Sequence, residues 1–161
     1  MARTESRMIP LGTTAPAFTL PDTVSGEAVS LQSLKAEKAT VIMFICNHCP
    51  FVKHVQTELV RLAKDYQQKG VSFIAISSND TVQYPADSPE KMKEEARRAG
   101  YPFVYLYDET QAVAREYDAT CTPDFFIFDG SLNLAYRGQL DDSRPESEIQ
   151  VTGGDIRKAL D

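Results

Sequence analysis

Thr40-Val41-Ile42-Met43-Phe44-Ile45-Cys46-Asn47-His48-Cys49-Pro50 is the stretch whose reading decides the fold. It opens with a short apolar run rich in β-branched residues. Crossing a bilayer takes about 20 such residues, so this run reads as a buried strand. Two cysteines follow, separated by two residues. Pro50 stands where a helix would begin, a position at which its missing N–H costs nothing. Beyond it Val55, Leu59, Leu62 and Tyr66 recur at helical spacing. The C-x-x-C therefore falls between the end of a buried strand and the first turn of a helix. Unpaired N–H groups and partial positive charge at a helix start favour a thiolate over a thiol. A dithiol placed there can be nucleophilic near neutral pH and can close to a disulfide.

Downstream, the helix should end near residue 68, where Lys69-Gly70 supplies a cationic last turn and a glycine stop. Residues 71–77 are a second apolar, β-branched run. Strand, helix and strand in this order make a βαβ unit with parallel strands and a right-handed crossover. After a polar loop over 78–87, Ser88-Pro89-Glu90 combines an N-cap, a proline at the first helical position and an acid in the first turn. That helix should run to Ala99 and stop at Gly100. Residues 103–107 form a third strand. Asp108 with Gln111 resembles a capping box for a helix ending near Tyr117. An apolar strand begins just past Thr122-Pro123 and turns at Asp129-Gly130; residues 132–137 return as an antiparallel partner. Residues 139–152 read as loop and 155–160 as a short final helix.

Upstream, residues 11–22 and 28–31 are alternating runs around Ser25-Gly26-Glu27, the pattern of a hairpin. A polar connection over 32–38 follows, and residues 1–9 read as a loose leader. With 161 residues, 42% hydrophobic and 25% charged, the chain suits one globular domain over 1–161. A net charge of −6 argues against a nucleic-acid or anionic-membrane surface. Three cysteines do not form the framework of a small secreted domain. The first ten residues lack the apolar core of a secretory signal, so a cytoplasmic location is expected.

The chain resembles the thioredoxin-like superfamily, and within it proteins related to the AhpC/TSA family (alkyl hydroperoxide reductase/thiol-specific antioxidant) and the thioredoxin-like disulfide reductases of cytochrome c maturation. The likeness covers residues 11–138. It rests on Ala15-Pro16-Ala17-Phe18-Thr19-Leu20 with Gly26 and Leu31, on Cys46-Asn47-His48-Cys49 at the strand–helix junction, and on Thr122-Pro123 before Phe125-Phe126-Ile127-Phe128-Asp129-Gly130. It implies an α/β thioredoxin fold, with a central mixed sheet flanked by helices and an N-terminal β-hairpin extension. It further implies thiol–disulfide exchange, with Cys46 as the exposed nucleophile and Cys49 as the buried resolving thiol. Pro123 should follow a cis bond and lie beside the cysteines, and the Thr122 backbone should offer strand-like hydrogen bonds to a substrate. The partners implied are a protein or small-molecule thiol or disulfide and a reductant, with no bound cofactor.

The sequence departs from these families at several points. Thioredoxins carry a buried acid on the strand before the cysteines, whereas residues 40–45 contain no carboxylate. Peroxiredoxins place threonine where Cys46 stands and proline where Ile42 stands, ahead of a peroxidatic cysteine where Cys49 stands. Cys121 replaces a small residue such as glycine and is either a small buried side chain or a third participating thiol. A cation at His48 would favour the Cys46 thiolate and make the disulfide more oxidising. His54 falls on a polar helix face with Glu58 and Arg61. Glu94, Glu95, Arg97 and Arg98 suggest an exposed helix face. Arg137 and Arg144 could approach a thiolate, but arginine is mostly a surface residue. Two alternatives stand beside exchange: a thiol peroxidase, and a copper or zinc protein using Cys46, Cys49 and His48 or Cys121.

Overall fold

The computed structural model describes residues 12–46, 50–78, 85–117 and 124–138. Its centre is β3 (Ala39–Phe44), every residue of which is buried. A strand covered on both faces must be apolar throughout, which is why its sequence shows no alternation. Helix α2 (Pro50–Gln67) carries the chain over to β4 (Val71–Ser77), which pairs parallel with β3. A 3₁₀ turn (Pro85–Asp87) and α3 (Pro89–Ala99) lead to β5 (Val104–Tyr107), parallel to β4. After α4 (Ala112–Glu116), β6 (Asp124–Asp129) returns antiparallel to β3 and β7 (Leu134–Gly138) antiparallel to β6. The five-stranded sheet runs β5-β4-β3-β6-β7. It is the mixed sheet of the thioredoxin fold.

Alternating residues of each strand feed two cores. On one face Val41, Met43, Phe73 and Tyr105 pack against Leu59, Leu62 and Tyr66 of α2 and Met92 and Ala96 of α3. On the other, Ile42, Phe44, Ile74 and Phe126 pack against Val113 of α4, Tyr117, and Phe18 and Leu31 from the N-terminal region.

That region contains the expected hairpin, β1 (Thr19–Pro21) with β2 (Ala28–Ser30), turned at Gly26 with a φ of +80°. The residues before and within this hairpin strap the second face. Gly12 donates to the Leu134 carbonyl at 2.7 Å on β7, and Thr23 donates to the Tyr105 carbonyl at 3.0 Å on β5. One segment therefore engages both outer strands of the sheet, a protection against edge-to-edge association.

Three local expectations need correction. The polar connection after β2 contains a short helix, α1 (Leu31–Leu34), because the Ser30 hydroxyl accepts from the Ser33 N–H and caps it. Gln111, at a φ of +65°, makes no side-chain cap on α4. Asp108 acts from further back, its Oδ2 accepting from the Ala114 N–H at 3.0 Å and the Ser78 hydroxyl at 2.8 Å. Glu58 is not on a solvated face: it is 6% exposed and takes Arg61 at 3.1 Å. Helix α3 matches expectation, with the Ser88 hydroxyl accepting from the Lys91 N–H and Gly100 left-handed at its end. Among the described residues no helix is long and apolar enough to cross a membrane. The leader over 1–9, the loop over 139–152 and the helix over 155–160 lie outside the described residues.

Candidate functional site

The site is built at the carboxyl end of β3. The Ile45 N–H donates to the Ile76 carbonyl at 2.9 Å, extending the pairing with β4 one residue past the strand. Cys46 comes next, and α2 begins at Pro50. Cys46 thus stands between the end of a parallel strand and the start of its crossover helix, where α/β sheets gather their chemistry. It packs in the same core as Leu59 and Leu62 of α2, Tyr105 of β5 and Phe125 of β6.

Cys46 is only 1% exposed. That corrects the expectation of an exposed first cysteine. The strand's last residues remain inside the sheet pairing, and Cys46 belongs to the core that Leu59 and Leu62 of α2 share with the sheet. A sulfur this deeply covered holds negative charge only where polar groups compensate for lost hydration.

Two tyrosines stand within electrostatic reach of Cys46. Burial pushes the Tyr101 phenol up to about 12, the hydrogen bond from Gln56 opposing that rise and the Glu95 carboxylate adding to it. Burial also holds Tyr105 well above the ordinary phenol range, again with Tyr101 and Cys46 contributing. Their rings meet edge to face at 5.6 Å. Tyr101 is fixed by Gln56 of α2, whose Nε2 donates to its hydroxyl at 2.9 Å and to Glu95 at 2.8 Å. Both phenols are therefore neutral at physiological pH.

A second polar feature was not singled out from the sequence. Asp124, the first residue of β6, and Arg137, on β7, form an ion pair at 2.8 Å with both side chains fully buried. The surface role favoured for Arg137 is thereby corrected. Residues 40–45 do lack a carboxylate, yet a buried one lies across from them: Asp124 pairs with Phe44 in the β3–β6 register. Its sequence signal was an aspartate directly after Pro123 at the head of an apolar strand.

Asn47, His48, Cys49, Cys121, Thr122 and Pro123, including the expected cis bond, lie outside the described residues. Of the residues weighed as metal ligands, Cys46 alone lies within them.

Comparison with known proteins follows this geometry. The AhpC/TSA family model matches residues 11–137. The chain is similar to a solved uncharacterized conserved protein from Geobacillus kaustophilus, at 66% identity and TM-score 0.96, over 98% of this chain and 83% of that one. It is similar to a solved hypothetical protein from Sinorhizobium meliloti 1021, at 42% identity and TM-score 0.93, over 96% of this chain and 84% of that one. The thioredoxin domain of a thiol-disulfide oxidoreductase from Bacteroides vulgatus shares the fold at 16% identity and TM-score 0.72, over 96% of this chain and all of that one (100%). A search of the curated proteins finds no match. With its mixed sheet, its N-terminal hairpin and a family match from residue 11 to residue 137, the chain belongs to the AhpC/TSA family of thioredoxin-fold proteins.

Proposed function

We propose that the protein carries out thiol–disulfide exchange through Cys46 and Cys49, with Asn47 and His48 between them. The observation that supports this most is Cys46 directly past the carboxyl end of the central strand, with α2 opening at Pro50. A thiolate of the pair attacks one sulfur of a substrate disulfide. That S–S bond breaks, a mixed disulfide forms and the other substrate sulfur leaves as a thiolate. The second cysteine then attacks the mixed disulfide, closing Cys46–Cys49 and releasing the second substrate thiol. The substrate gains two electrons, and a dithiol reductant returns the protein to its starting state. Thr122, Pro123 and Cys121 are proposed to lie alongside, with the Thr122 backbone aligning the substrate.

A second reading, favoured by the burial of Cys46, reverses the order of attack. Cys49 stands where peroxiredoxins carry their peroxidatic cysteine, so it would attack first, on a disulfide or on peroxide, and Cys46 would resolve. Single replacement of each cysteine by serine, followed by insulin reduction and peroxide consumption, separates these readings. If Cys46 attacks first, Cys49→Ser accumulates a mixed disulfide on Cys46. If Cys49 does, Cys46→Ser accumulates the adduct. Full exchange activity in both variants would refute a dithiol mechanism. A stoichiometric metal in protein purified under reducing conditions would favour the metal-binding alternative.

A further inference from the structure

We propose that the buried Asp124–Arg137 pair is a positioning device, holding the first residue of β6 against the strand end that carries Cys46. The inference deepens the exchange reading and rests on it for its functional consequence.

The geometry is tight. The Arg137 Nη2 donates to the Asp124 Oδ2 at 2.8 Å. The guanidinium also lies over the Phe126 ring, 4.6 Å from its centroid. Phe126 meets Phe44 edge to face at 5.7 Å. Asp124 is itself the register partner of Phe44. Directly opposed residues of an antiparallel pair project to the same face. Arg137 therefore grips the start of β6 twice, through the carboxylate and through Phe126, and both holds converge on Phe44. Phe44 lies two residues before Cys46. On the other side of Asp124 the next residue in the chain is Pro123, preceded by Thr122.

Stability alone does not explain such a pair. Removing two charges from water costs several kcal/mol per ion in general, and apolar residues of similar volume often serve as well or better. Three other ion pairs each have an exposed cation, with Arg61, Lys91 and Arg98 at 65%, 58% and 62%. What a buried pair supplies, and a hydrophobic contact does not, is a directional hold: the Arg137 Nη2 and the Asp124 Oδ2 meet in one charge-assisted hydrogen bond. Here that geometry sits where β3, β6 and β7 meet, at the end of the sheet bearing the cysteine.

The test uses the full chain with two variants. One is the double replacement Asp124→Leu with Arg137→Met, which removes both charges and keeps volume. The other is Asp124→Asn, which keeps shape and weakens the pair. Thermal unfolding, exchange with an aromatic disulfide and site-resolved alkylation of Cys46 are followed in each. Whichever variant folds should retain its thermal transition yet lose exchange by about tenfold or more, the scale of a displaced reacting group. Cys46 should alkylate about threefold faster or more, because an unpinned strand end opens more often. Variants that fold and match the parent in both exchange and alkylation would overturn the proposal. Faster alkylation of Cys46 in a protein whose parent shows no exchange would support positioning and refute the exchange reading instead.

Discussion

Tyr101 ends a hydrogen-bond chain that draws on two helices. Gln56 of α2 donates to its hydroxyl at 2.9 Å, while the Arg98 Nη2 of α3 donates to the Gln56 Oε1 at 2.8 Å. The Tyr101 ring stacks on Phe103 at 4.8 Å. Replacing Tyr101 by phenylalanine keeps the ring and removes the acceptor. At neutral pH this should cost about 1 kcal/mol, the net value of a hydrogen bond. The alkaline side is more diagnostic. The phenol is raised to about 12 from an ordinary 10.0. Below the ordinary value both folded and unfolded chains hold the proton, and the stabilisation is complete. Between that value and about 12 the unfolded chain ionises while the folded one does not, so stability falls as pH rises. Urea midpoints at about pH 9 and about pH 11 should therefore differ less in Tyr101→Phe than in the parent. An equal or larger drop would mean that the phenol ionises freely in the fold.

Asp124 and Arg137 show at the same scale why a residue's setting can escape a reading of sequence. Charged residues default to the surface, and these partners are 13 positions apart, joined only through a hairpin. That hairpin turns with Leu132 at a φ of +62°, a conformation that a leucine does not announce.

The elements themselves were far more open to reading. The spacing of Leu59, Leu62 and Tyr66 marks the face of α2 that packs on the sheet, and all three are buried. Ser88, Pro89 and Gly100 bracket α3 as capping chemistry requires. The start of α4 was misread because Asp108 caps it across an intervening left-handed residue, outside the usual spacing. The β6–β7 turn carries a second constraint hidden from local pattern. A Cβ on Gly130 would collide with the Glu37 carbonyl, part of the backbone leading into β3. Backbone cannot swing aside as a side chain can. Gly130→Ala should therefore destabilise the protein by about 1–3 kcal/mol, visible as a lower urea midpoint with an unchanged slope. An unchanged midpoint would show that the two segments separate easily.

Across the whole molecule, the N-terminal strap and the five-stranded sheet make a frame with Cys46 just past the carboxyl end of its central strand. The placement of Cys46 was legible because a strand period and a helix period change over at that point in the chain. Its burial was not, since the core around it also draws on β5 and β6, which come from distant parts of the sequence. The account depends on one reversible bond between Cys46 and Cys49. The direct test is equilibration of the protein across a series of glutathione ratios, with peptide mapping of the cysteine pairs formed. The account predicts a two-electron transition to a Cys46–Cys49 disulfide at a potential above about −270 mV, the thioredoxin value, with His48→Ala lowering it. A potential at or below that value would contradict the role given to His48, and no Cys46–Cys49 disulfide at any ratio would contradict the account itself.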